Sequence, residues 1–334
     1  MPQDVVVVFV HGINTTCQDY YEPLRDRILR KLPKDARGRV IFRAVFWADI
    51  VRGRQQEYVH YAKTSADFRP TVAHRMVIEG LGDAAAYQKI ERKNSAYYDI
   101  QARVRKTIQD VALRDQDDRP LVFITHSLGC HIVSSYAWDL HQCKHPALAF
   151  KDKQIDKGTQ AYIDSLPGKT RLERLDTFAG FVTLGSNMPL FTFALGPQHV
   201  FPITKPQHDE MKPAFPGPNL GPATRHKACW LNYYSINDPL GYPLKPLNDA
   251  YDDEPLLSDH ATVSEGWLRS SFCPQRLRPL LSMAAHQGYW RDPKVASGIA
   301  KLLNDLIQAD DTATVQSARP VNLFAPVAAN PATS

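Results

Sequence analysis

Five residues, Thr125-His126-Ser127-Leu128-Gly129, join a β-branched apolar run over 120–125 to a segment that continues with helical spacing. So tight a strand-to-helix turn usually takes Gly, Asn or Asp, which bend sharply without steric penalty. A serine there can act as an ordinary helix N-cap. Its other use is as a nucleophile. On a strained elbow of the form G-x-S-x-G, the hydroxyl stands exposed at the carboxyl end of a sheet and small neighbours let the backbone pass. Thr125 fills the first small position, so the pattern here is T-x-S-x-G.

A nucleophilic serine needs donors for an oxyanion, a base for its proton and an acid to orient that base. His11 and Gly12 end the first apolar run and form a candidate oxyanion turn, because the missing side chain at Gly12 lets a backbone N–H face an acyl oxygen. Ile13 N–H is then one donor. Leu128 N–H is the other, at a helix N-terminus where partial positive charge accumulates. The acid is expected just past a later strand, where Asp238 follows an apolar run and Pro239 ends it, turning the carboxylate into the site; a plain turn aspartate is the alternative. Asp249, Asp252, Asp253 and Asp259 fall in a polar, turn-rich stretch and read as solvated loop carboxylates. For the base, His286 precedes Gly288, Tyr289 and Trp290, whereas the competing His260 comes before the expected last strand. His126 reads as facing away from the base, in a structural or pocket-lining role. Met188, Leu190 and Phe191 could line an acyl pocket, or simply pack the core.

These residues must be positioned by a sheet. Apolar runs at 4–10, 39–47, 120–125, 178–185 and 228–236 read as strands, with a sixth expected near 261–267. Helical segments separate them, the pattern of a mostly parallel sheet with helices on both faces, an α/β fold. In the first of these segments Leu24, Ile28 and Leu32 share one helix face, and its arginines read as the solvated side. Residues 50–110 are too long for one crossover helix and read as a helical insertion interrupted by Pro70, Gly80 and Gly82. Seven prolines within 196–222 exclude a regular helix or central strand and suggest a lid-like loop or a surface excursion. The expected organisation is one domain over 1–310 with a loosely ordered tail at 311–334.

In this order (oxyanion turn, serine, aspartate, histidine) the motifs resemble the α/β-hydrolase superfamily, and most closely its uncharacterised bacterial lipase/esterase-like branch with a T-H-S-L-G elbow. The resemblance covers roughly residues 4–305 and leaves the insertion and the proline-rich loop unexplained. It implies an α/β-hydrolase fold with Ser127 as nucleophile, His286 as general base and acid, and Asp238 as orienting carboxylate. The implied activity is that of a serine hydrolase, with a carboxylic ester cleaved through an acyl-enzyme and no metal or organic cofactor. A thioesterase, amidase or phospholipase on the same triad, or a catalytically silent binding scaffold, are the alternatives.

Composition narrows the rest. The 334 residues are 43% apolar, enough for a large core, and 40 basic against 35 acidic side chains give a net charge of +5, too modest to call for nucleic acid. The substrate is expected to be a small ester, lipid-like in one reading. No window approaches an 18-residue apolar span, and the N-terminus enters a strand without a signal-like segment, so a cytoplasmic location is expected. Cys17, Cys130, Cys143, Cys229 and Cys273 are odd in number, widely spaced and read as free thiols.

Overall fold

The computed structural model describes residues 4–66, 68–89, 95–113, 117–144, 157–193, 196–206, 213–262 and 284–318. Six strands form one all-parallel sheet in the order β2-β1-β3-β4-β5-β6: β1 (Val5–Val10), β2 (Val40–Val45), β3 (Leu121–His126), β4 (Phe178–Leu184), β5 (Cys229–Tyr234) and β6 (Leu257–Ala261). β1, β3 and β4 are buried along their whole length, which is why they read as continuous apolar runs rather than alternating ones. The chain is an α/β protein.

The order reverses between β1 and β3. From β1 the chain steps outward to β2 through α1 (Glu22–Lys31), then returns past β1 to β3. Right-handed crossovers therefore put α1 on one face of the sheet and the later crossover helices, α4 (Ala96–Gln109) and α5 (Leu128–Lys144), on the other. Leu24, Ile28 and Leu32 of the first crossover are buried, as their spacing requires. Such a switch point opens a crevice at the carboxyl ends of the two strands. The register pairs Val10 with Thr125, so Gly12 and Ser127 emerge side by side there.

Residues 48–86 form two long helices, α2 (Ala48–Ala66) and α3 (Val72–Ala86), ahead of the crossover helix α4. Pro70 lies between α2 and α3, but Gly80 and Gly82 do not interrupt α3. They are positions of close approach: a Cβ on Gly82 would meet Gln55 Nε2 at 3.0 Å, and one on Gly80 would meet Asn14 Nδ2 at 3.1 Å. Spacing alone cannot distinguish a helix-breaking glycine from one that lets two elements touch.

Beyond α5 come α6 (Lys157–Ser165), α7 (Met188–Thr192), α8 (Pro222–Lys227), α9 (Asp249–Asp252) and α10 (Pro293–Ala318), the last packed against α1. The helix α10 runs through 311–318, which the composition assigned to a loose tail. The proline-rich segment is anchored at its end: Phe215 is buried against Phe178, and Gly217 N–H donates to Phe178 O at 2.9 Å. Cys273, residues 263–267 of the expected sixth strand, residues 207–212 and residues 319–334 lie outside the described residues. Cys17, Cys130, Cys143 and Cys229 are free thiols. Among the described residues, no helix is long and apolar enough to cross a membrane.

Two expectations change at the sixth strand. It forms earlier, over Leu257–Ala261, so His260 sits within the last strand, where it shares a hydrogen bond with Ser258 Oγ and stacks on Tyr233. Asp259 is no solvated loop carboxylate either. It accepts from Leu244 N–H, Lys245 N–H and Asn232 Nδ2 at 2.7–3.1 Å, pinning the loop that leaves β5 to the neighbouring strand. Asp259→Ala would strand these donors, and we expect it to lower unfolding free energy on the order of 3 kcal/mol in urea titrations. A shift within error of zero would show that the loop holds without it.

Candidate active site

Ser127 adopts φ 52°, left-handed backbone that a non-glycine residue rarely takes. The sheet and α5 force it there. Ser127 N–H donates to Leu184 O at 3.0 Å on one side, while Cys130 N–H closes the first turn of α5 on Ser127 O at 2.9 Å. Gly129 is required because a Cβ would collide with Val10 O and His11 O, and Gly12 because a Cβ would collide with that of Ser127. Thr125 departs from the glycine of the usual pattern without penalty: its hydroxyl donates to Val182 O at 2.9 Å on the neighbouring strand.

Ser127 differs from the expectation in exposure. It is fully buried, and its Oγ has no hydrogen-bond partner among the described residues. His286 Nε2 is likewise buried and without a partner among the described residues, so Ser127 and His286 share no hydrogen bond. The two residues are nevertheless neighbours through their surroundings. The His126 ring lies 4.6 Å from that of His286, and a Cβ on Gly185, next to the Leu184 that holds Ser127, would lie 3.2 Å from His286 Nδ1. Gly185 can pass this crowded point with φ 55°.

The other face of His286 is fully held. Nδ1 lies 2.9 Å from both Asp238 carboxylate oxygens. Asp238 also accepts from Leu240 N–H at 2.9 Å and from the Tyr289 hydroxyl at 2.8 Å. Burial pushes the Asp238 carboxyl up, but its interaction with His286 and the hydrogen bonds from Leu240 and Tyr289 outweigh it and hold the group below the ordinary carboxylate range. A carboxylate accepting at Nδ1 favours the tautomer that carries its proton there, with Nε2 as the acceptor. The signal for Tyr289 was its place three residues after His286; that it reaches Asp238 was not legible.

Two further histidines are structural. His126 does not face away from the base: its Nε2 sits 2.7 Å from the His286 carbonyl and fixes the segment that carries it. His11 Nε2 accepts from Trp47 N–H at 3.0 Å, which leaves Nδ1–H to donate to Gly12 O at 2.7 Å, and the ring stacks on Trp47. The candidate oxyanion turn is therefore braced by its own histidine. Among the described residues no hydrogen bond occupies Ile13 N–H or Leu128 N–H, the two expected donors. No group of three or more His, Cys, Asp or Glu among those residues is arranged to hold a metal ion.

A cavity of about 750 Å³ begins at His131, four residues beyond Ser127 on α5. Trp138 of α5, Met188 and Phe191 of α7, and Phe201 from the proline-rich segment line it. Phe191 stacks on His131 at 4.1 Å. Leu190 is exposed, and neither it nor His126 contributes to the wall. His199, Val200, Phe201 and Ile203 of the proline-rich segment thus form part of the cavity wall. The cavity does not include Ser127, whose hydroxyl is closed to solvent.

Burial lowers His11 and His126 to about 3 and His131 to about 4. The unfolded chain protonates these rings below about 6.5 while the fold keeps them neutral, so stability is present above 6.5 and is lost as pH falls toward the folded values. Each histidine contributes a slope of at most ~1.4 kcal/mol per pH unit. Asp83, raised by burial to about 6, acts in the opposite sense between 6 and its ordinary value of 3.8, and offsets one of the three. We expect a net loss of roughly 3 kcal/mol per pH unit between pH 6 and 4, read from denaturant midpoints. Constant midpoints over that interval would contradict the buried, neutral histidines.

No family model, curated protein or solved structure matches the chain.

Proposed function

We propose that the chain is a serine hydrolase acting on carboxylic esters, with Ser127 as nucleophile, His286 as general base and acid, and Asp238 as the carboxylate that orients it. One observation carries the reading. In the buried interior, where polar atoms are normally paired, Ser127 Oγ and His286 Nε2 are both left without a hydrogen-bond partner among the described residues, while the far side of His286 is held by Asp238. The left-handed Ser127, the free donors Ile13 and Leu128, and the order of the motifs, which resembles that of the α/β-hydrolase superfamily, support the same reading.

In this mechanism Ser127 Oγ attacks the ester carbonyl carbon and His286 Nε2 takes the hydroxyl proton. The oxyanion is held by Ile13 N–H and Leu128 N–H, and collapse expels the alcohol, which leaves with the proton from His286. Water then attacks the acyl-enzyme by the same route and regenerates Ser127. The cavity along α5 suits an uncharged, apolar portion of the substrate, and its separation from Ser127 means that entry requires movement of the covering segments.

The test is labelling with a serine-directed fluorophosphonate followed by peptide mapping. Modification at Ser127, together with hydrolysis of acyl esters of graded chain length, is the expected result. Absence of labelling under conditions that admit the probe would favour a binding scaffold. Faster turnover of thioesters, amides or phospholipids than of simple esters would move the chemistry to that alternative.

A further inference from the structure

The hairpin α2–α3 contributes no side chain to the set Ser127, His286 and Asp238, yet it grips the oxyanion turn at three points. Asp83 on α3 accepts from Asn14 N–H at 3.2 Å through Oδ2 and from Gln55 Nε2 on α2 at 2.9 Å through Oδ1. Arg52 on α2 donates to Thr15 O at 2.8 Å. Gly80 brings α3 against the turn, so that a Cβ there would lie 3.1 Å from Asn14 Nδ2 and 3.5 Å from Ile13 Cδ1.

The gripped segment needs holding. Asn14 has φ 59°, a conformation that a free chain seldom populates, and its neighbour Ile13 presents the N–H assigned to the oxyanion. A donor of this kind works only if it is aimed before the reaction, since reorienting it during the reaction would consume the stabilisation it offers. We propose that Asp83 is a positioning residue: through it the α2–α3 hairpin clamps residues 12–15 and keeps Ile13 N–H directed at the developing oxyanion. The inference rests on the serine hydrolase reading and deepens it.

The setting of Asp83 agrees with a functional role. It is 5% exposed, and burial raises its carboxyl to about 6 against the lowering effect of Asn14, Gln55 and Arg52, with Glu79 adding to the rise. A carboxylate kept ionised at neutral pH in such a place opposes folding, and groups of that kind concentrate at functional sites. The glycines at 80 and 82 also fit the clamp, because α3 gives up helix propensity at both to approach the turn and Gln55.

The experiment compares Asp83→Ala and Asp83→Asn in the full chain. Asp83→Ala should lower kcat by ~10–100-fold with KM changed less than about threefold, because the donor acts mainly in the transition state. Asp83→Asn keeps an acceptor for Asn14 N–H and should recover most of the loss. Hydrogen exchange in a peptide covering 12–15 should quicken in Asp83→Ala and not in Asp83→Asn, a readout that needs no substrate. Wild-type kcat in Asp83→Ala, a loss confined to KM, or unchanged exchange at 12–15 would each overturn the clamp. If Asp83→Ala does not fold, Arg52→Met and Gln55→Leu loosen the same grip from α2; wild-type kcat in both would overturn it equally. If the two variants show the expected exchange pattern but the wild-type protein is never labelled at Ser127, the hydrolase reading falls and the clamp on residues 12–15 stands as a structural feature.

Discussion

Ser127→Ala is expected to reduce kcat by a factor on the order of 10⁴–10⁶, the scale at which a nucleophile and its base act as one unit. Its stability should stay level or rise slightly. The lost hydroxyl has no partner among the described residues, so its removal strands none of them and relieves one buried unsatisfied group, worth about 1 kcal/mol. The left-handed backbone at φ 52° remains strained with alanine, whereas Ser127→Gly relaxes it and should add roughly another 1 kcal/mol. Activity assays and thermal melts on the two variants separate these effects. Residual turnover near wild type in either, or fluorophosphonate found on another serine, would move the nucleophile elsewhere.

For Asp238→Asn we expect kcat to fall by about 10⁴ while KM changes little. The carboxylate accepts from Nδ1, which sets the imidazole tautomer with Nε2 free to take the Ser127 proton. An asparagine amide in that place offers a donor to Nδ1 and selects the opposite tautomer, in which Nε2 carries a proton and cannot act as base. Leu240 N–H and the Tyr289 hydroxyl still have one acceptor between them, so the fold should survive with a loss of ~1–3 kcal/mol. Asp249, Asp252 and Asp253 are exposed, and their conversion to Asn should leave turnover nearly unchanged. Near-normal rates in Asp238→Asn would remove it from the acid position.

The parallel sheet was legible in the sequence because strands buried on both faces must be written as unbroken apolar runs, and Val5–Val10, Leu121–His126 and Phe178–Leu184 are such runs. The sequence signal for β6 falls too late, because Leu257–Ala261 lies at the sheet's edge and carries Asp259 and His260, which look like loop residues until their partners on β5 and in the loop after it are known. Ser127, Gly12 and Gly129 were legible for a local reason: a strand-to-helix turn restricts which residue types can occupy it, and that restriction is written within five or six positions.

What the sequence determined by itself, then, was the class of fold and which side chains stand at the carboxyl ends of its strands. The tertiary structure alone decided that Tyr289 and Asp238 meet, that His126 holds the segment of His286 rather than facing away, that Ser127 is closed to solvent, and that Asp83, 69 residues from Asn14, holds the turn. Each of these depends on a contact between distant positions. Periodicity and turn chemistry act over a few residues, whereas the partner of a buried carboxylate or imidazole is chosen by how whole elements pack, and one sequence records that choice only through the fold it adopts.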